Sequence, residues 1–221
     1  MDRHEQAGER ATQPYPDSFF RRVDETDDRL FFVEPRLVVH IDEPAIAVIG
    51  RYFQQELPSD GVILDLMCSW RSHLPDAFPR KRLVGLGMNA AEMRDNPALD
   101  RRVVHDLNAD PRLPFADQAF DAAVVTVSVQ YMIRPVEVFS HVRRVLKNGA
   151  AFHVIFSNRM FPTKAVAVWQ RLDHRGRAQL IESYFHRSGG WDSPTASDIG
   201  PGPGSGADPV FVVSAARLGA I

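Results

Sequence analysis

Apolar residues fall into short unbroken runs set between polar stretches that carry glycine and proline. Such runs read as strands buried on both faces, and they alternate here with segments of helical period. Residues 62–64 (VIL) form one run that stops at Asp65, and 81–87 (KRLVGLG), 101–108 (RRVVHDLN), 122–127, 150–156 and 210–216 supply the others. Between them, 43–57 places Ala45, Val48, Ile49, Tyr52 and Phe53 on one face, with Asp42 as cap and Pro44 in the first turn. A short helix over 90–96 comes after the second run. Residues 135–147 repeat the helical pattern with Val138, Val142, Val145 and Leu146, and Asn148-Gly149 reads as the stop. A helix opening at 163–165 carries Val166, Val168, Trp169 and Leu172 inward, and 176–185 continues as a second helical piece. Residues 188–209, with GPGPGSG inside, read as a flexible connection before the last strand. Strand and helix in alternation predict a doubly wound, mostly parallel α/β sheet.

The length of 221 residues fits one such domain: a tail over 1–17, an arm and helix over 18–60, and the sheet domain over 61–221. A formal charge of −2 and no basic stripe argue against nucleic acid as the partner. No apolar run nears the roughly 20 residues that span a bilayer. The first residues lack the apolar core of a secretion signal, so a cytoplasmic location is expected. Cys68 is the single cysteine and the eight histidines are scattered, so neither a disulfide nor a metal centre is expected.

Chemistry concentrates where the first strand ends, in GVILDLMCSWRSHLP (residues 61–75). A carboxylate closing a buried strand is costly unless it meets a partner, and ligands of open α/β sheets bind just beyond such strand ends. This stretch, together with the strands and loops after it, resembles the class I, Rossmann-like S-adenosylmethionine-dependent methyltransferases, close to their type-eleven small-molecule group. The resemblance runs from about residue 61 to 164, with a further match at the last strand, and implies a seven-stranded sheet. The chain departs from the family at the first turn, where three alternate glycines are replaced by Met67, Ser69 and Arg71. It departs again at the end of the second strand, where Gly87 stands at the place of the ribose-binding acid. The third-strand acid and the LPF…FD stretch (113–121) match well.

The resemblance implies S-adenosylmethionine as cofactor and a small molecule as methyl acceptor. Carried onto this chain, the cofactor falls to Asp65, the turn Met67, Cys68, Ser69, Trp70 and Arg71, then Asp106 and Leu107 at the adenine, and Ser128. Asn89 is the substitute at the ribose, with Glu92 expected nearer the outer face of its helix. Arg36, His40 and Asp42 belong to an arm that folds over the pocket, so Arg36 is a candidate for substrate or for the donor carboxylate. Gln130, Tyr131, Asn158 and Arg159 are the remaining expected substrate contacts, and His40 or Tyr131 would assist deprotonation of an acceptor. Methyl transfer depends chiefly on alignment, so no triad is required. A binding module that has lost transfer, or another reaction of the same cofactor, are the rival readings.

Overall fold

The computed structural model describes residues 15–202 and 204–219. Most of the predicted tail lies outside the described residues, but its last part is docked. Tyr15 packs edge-on against Tyr184 at 5.9 Å and its hydroxyl meets Ser183.

Seven strands form one sheet: β1 (Val62–Leu66), β2 (Arg82–Gly87), β3 (Arg101–Val104), β4 (Phe120–Thr126), β5 (Leu146–Phe156), β6 (Thr195–Asp198) and β7 (Phe211–Ala216). Their order is β3-β2-β1-β4-β5-β7-β6; β7 runs antiparallel to both neighbours and the remaining pairs are parallel. The winding reverses between β1 and β4, which opens a crevice at their carboxyl ends.

Side-chain alternation divides the core between the two faces. Leu64, Leu66, Val125 and Val154 pack with α4 (Pro135–Val145) and α6 (His174–Ser188). Ile63, Val124 and Ile155 pack with α2 (Glu43–Glu56) and with Met93 of α3 (Ala90–Arg94). Phe139 of α4 sits edge-on between Phe152 at 5.0 Å and Phe185 at 4.8 Å. Two small helices complete the chain: α1 (Asp28–Phe31) in the arm and α5 (Ala167–Arg171) after β5.

Several boundaries differ from the sequence reading. Asn148-Gly149 does not stop a helix; α4 ends at Val145 and β5 starts at Leu146, running through Gly149 at φ +77°. The third strand ends at Val104, because Asp106 turns the chain there. The helix expected from residue 163 starts at Ala167, leaving Lys164 in a buried turn. The stretch 188–209 is not connection alone, since Thr195–Asp198 forms the edge strand β6. All four of its residues are exposed, so no apolar alternation announces it and pairing with β7 alone makes it a strand. Among the described residues no helix is long and apolar enough to cross a membrane.

Candidate active site

Beyond the tips of β1 to β4 lies a cavity of about 330 Å³, floored by the sheet and covered by arm residues Phe32, Arg36 and Val38–Ile41. Its volume falls in the range of ligand pockets. Met67 follows β1 in the left-handed conformation, φ +52°, which favours glycine. The turn therefore keeps a glycine-like backbone at this position despite its side chain, at a cost of about 1–2 kcal/mol.

Glycines of the neighbouring strand β2 lie against this turn. Cys68 N–H donates to the Leu86 carbonyl at 2.9 Å, laying the turn along β2. A Cβ at Gly87 would come within 2.1 Å of the Cys68 carbonyl oxygen, and one at Gly85 within 3.2 Å of the Cys68 sulfur. No carboxylate can stand at position 87 for that reason. Asn96, which the sequence did not single out, pins the turn by donating to the Ser69 carbonyl and the Ser72 hydroxyl, both at 2.9 Å. Burial pushes the Cys68 thiol well up, so it makes no nucleophile.

Asp65 is 3% exposed, and burial raises its carboxyl to about 6. Asp65, Thr126 and Arg36 all line the cavity, and Asp65 Oδ2, Thr126 Oγ1 and Arg36 Nη1 are buried without a hydrogen-bond partner among the described residues. Three buried polar atoms left unmatched in one cavity are costly unless a ligand meets them. S-adenosylmethionine, with an ammonium and hydroxyls, fits the Asp65 and Thr126 atoms of this set.

The ribose substitute expected at Asn89 needs correction. The Asn89 side chain caps α3 by accepting from Ala91 and Glu92 N–H, while its amide donates to the Phe32 and Val33 carbonyls. Its bonding capacity is spent on the helix and the arm. Glu92, expected on an outer face, is instead buried and lines the cavity, accepting from Ser69 Oγ at 2.6 Å and Arg36 N–H at 2.7 Å. Helix α3 is so short that its third residue after the cap still points back over the strand tips.

Asp106 and Leu107 both line the cavity, and Asp106 Oδ1 also closes the turn by accepting from Asn108 and Ala109 N–H. At the exit of β4, Val127 takes φ +53°, a strained choice for a β-branched residue at a ligand-lining bend. Ser128 faces the same cavity, with its hydroxyl donating to the Thr126 carbonyl. Trp70 lines the rim and its indole N–H donates to the Val38 carbonyl, tying turn to arm. Arg71 stacks on that indole at 4.3 Å and is exposed.

On the opposite side, Tyr131, His40 and Phe161 face one another, with Phe161 edge-on to His40 at 4.9 Å. Tyr131 Oη accepts the Phe161 N–H at 2.8 Å, and burial raises the phenol, so it keeps its proton and can donate a hydrogen bond. Burial lowers His40 and lowers His73, a wall residue missed in the sequence, to about 4; both are neutral at pH 7. Two expected substrate contacts are corrected. Gln130 does not line the cavity, because its amide donates to the Val127 and Arg159 carbonyls and bridges two loops. Asn158 is exposed beside the Ser157 hydroxyl and also lies off the cavity. Arg159 lines it, yet its guanidinium pairs with Asp208 at 2.7 Å.

What fastens the arm was not legible in sequence. Lys164, fully buried, pairs with Asp28 at 3.1 Å and Asp24 at 3.2 Å, and Arg22 reaches Asp28 at 2.6 Å. Asn108 donates to Asp28 and to the Tyr131 carbonyl, joining arm, third-strand turn and β4 exit. Asp42 fulfils its capping role on Ala45 N–H, and the Asp42 and Asp208 carboxylates each accept the other's backbone N–H.

A family model described as a methyltransferase domain matches residues 71–154, beginning at the end of the glycine-free turn. No curated protein matches the sequence. Among solved structures, the chain is similar to one in the complex of the Haloferax volcanii Trm112 methyltransferase activator with a methyltransferase. That pair shares 15% identity at TM-score 0.59, covering 81% of this chain and 92% of the other. Streptomyces coelicolor geranyl diphosphate C-methyltransferase, solved with S-adenosyl-L-homocysteine, gives 15% identity and TM-score 0.50 over 78% and 77% of the two chains. Haemonchus contortus phosphoethanolamine N-methyltransferase 2, solved with S-adenosyl-L-methionine, gives 12% and 0.55 over 79% and 52%. At such identities the likeness is one of fold, and it agrees with the strand order and with the matched segment: the chain has the class I methyltransferase fold and carries the methyltransferase-domain signature over residues 71–154.

Proposed function

We propose that this protein is an S-adenosylmethionine-dependent methyltransferase acting on a small molecule held between the strand tips and the N-terminal arm. The observation that carries the reading is the unpartnered, buried Asp65 oxygen beneath the cavity. A cationic ammonium is the partner that recovers its desolvation cost. When bound, the cofactor supplies a methyl group made electrophilic by a sulfonium. The chain's own residues bind and orient. Asp65 accepts the ammonium, and Glu92 with Ser69 takes the ribose hydroxyls in place of Asn89. Asp106 and Leu107 hold the purine, Met67 and Cys68 form the turn beside it, and Arg71 at the rim receives the carboxylate. Ser128 and Thr126 line the donor side of the β4 exit.

Tyr131 donates a hydrogen bond toward the acceptor, and neutral His40 is placed to take a proton where the acceptor has one to lose. The arm excludes water through Trp70 and its contact with Val38. Calorimetry with S-adenosylmethionine and S-adenosylhomocysteine tests the reading. Binding in the micromolar range is expected, weakened at least tenfold in Glu92→Gln. No binding at millimolar ligand overturns it.

A further inference from the structure

Three arginines border the cavity, and two are set aside: Arg159 pairs with Asp208, and Arg71 stands exposed at the rim, where the proposed function gives it the donor carboxylate. Arg36 differs. Its guanidinium carbon lies 4.0 Å from the Phe31 ring centroid, 5.2 Å from Phe161 and 5.7 Å from Phe32. Its Nη1 is buried with no hydrogen-bond partner among the described residues. Ring faces attract the cation but cannot accept its in-plane N–H bonds. A buried guanidinium donor without an acceptor is a costly arrangement unless an anion arrives to complete it.

The group stands on the acceptor side. Phe161, which stacks with Tyr131 at 6.1 Å and meets His40 edge-on, lies in the loop after β5, whereas the expected ribose and purine contacts come from β2, α3 and the turn after β3. The rings of Phe32 and Phe161 lie beside Arg36, Tyr131 stacks on Phe161, and Met160 lines the same cavity. We infer that the methyl acceptor is a small aromatic carboxylic acid, whose carboxylate is received by Arg36 and whose ring lies among these side chains. A carboxylate suits the site better than a phosphate. One unmatched guanidinium balances a single negative charge, and the second nearby cation, Arg159, is already neutralised.

The inference rests on the methyltransferase reading, and the test separates the two. Protein saturated with S-adenosylhomocysteine is titrated calorimetrically with phenylacetate and indole-3-acetate, and with the corresponding amides. The acids are expected to bind at least tenfold more tightly than the amides. Arg36→Gln should abolish that preference and Arg36→Lys keep part of it, with S-adenosylhomocysteine affinity within twofold of wild type in both. Equal binding of acid and amide, absence of acid binding, or a preference surviving Arg36→Gln overturns the inference. So does a tenfold loss of S-adenosylhomocysteine affinity in Arg36→Gln, which would assign the guanidinium to the cofactor. Wild type that fails to bind S-adenosylhomocysteine overturns the methyltransferase reading instead. The same titrations into free protein then decide the role of Arg36 independently.

Discussion

Asp65 shows how one side chain couples the fold to its ligand. Burial raises its carboxyl from the ordinary value to about 6. A proton is therefore held more tightly in the folded chain than in the unfolded one. The associated stability is complete below about pH 4 and is lost as pH rises through 6. At 1.36 kcal/mol per pKa unit, the loss by pH 7 is at most about 3 kcal/mol. Asp65→Asn should accordingly stabilise the ligand-free protein at pH 7 in urea unfolding, with little effect near pH 4. The same substitution should weaken S-adenosylmethionine binding tenfold or more. In wild type, affinity should rise between pH 5 and 7 with proton release on binding, and calorimetry in buffers of different ionisation enthalpy reads both. Asp65→Asn should show a flat profile. Gly87 makes the complementary point, since its missing side chain is what lets the Cys68 carbonyl lie against β2.

Elements divide into those that form the sheet and the arm that completes the site. The helices flanking the sheet bury broad apolar faces, but α1 is a single turn held by charge. Lys164, Asp28, Arg22 and Asn108 make one polar network around the buried Asp28 and Lys164, with the more exposed Asp24 at its edge. Removing the Lys164 ammonium takes one of two cations from Asp28, which keeps Arg22 and Asn108, so the cost is below the roughly 3–5 kcal/mol of a fully broken buried pair. That cost falls on the arm, because Asp24 and Asp28 belong to it. Lys164→Met should speed trypsin cleavage after Arg29 or Arg36 at least tenfold while the sheet domain remains resistant. Mass spectrometry of the early fragments identifies the sites. Cleavage at wild-type rate would show that the aromatic contacts of Phe31 and Phe161 hold the arm without the ion pairs.

For the whole molecule, acid stability is set by histidines far apart in the structure. His153 in β5 is 3% exposed with Nδ1 against the Tyr52 hydroxyl at 2.8 Å, and burial lowers it to about 4. His73 at the cavity wall is lowered to the same value by burial and the nearby Arg71. A lowered histidine contributes stability that is present above its unfolded value near 6.5 and is lost as pH falls through 4. Each removes at most about 3 kcal/mol over that interval, and the opposite titration of Asp65 offsets about one of them. Burial also lowers His40 and His141, so urea unfolding between pH 7 and 4 should show a net loss of at least about 3 kcal/mol. His153→Gln should remove most of that slope without altering ligand affinity, since His153 lies away from the cavity.

Six of the seven strands, the core-facing helices and the carboxylates that end β1 and the third-strand run were determined by local pattern: unbroken apolar runs, a 3.6-residue stripe, an aspartate where burial stops. Nearest-neighbour chemistry was enough, because a buried strand needs apolar residues wherever it sits in the sheet. Other features depend on partners distant in the chain, and only the tertiary structure decided them. Thr195–Asp198 becomes a strand because β7 offers a ladder, and Gln130 leaves the site because its amide bonds the Val127 carbonyl and, across the chain, that of Arg159. Asn89 and Glu92 both line the cavity, but the cap of α3 and the arm carbonyls of Phe32 and Val33 occupy the Asn89 side chain. The glycine-free turn survives because the space it needs was made on β2, at Gly85 and Gly87. Hydrogen-bond saturation and steric room are properties of the packed molecule, and no stretch of chain specifies them alone.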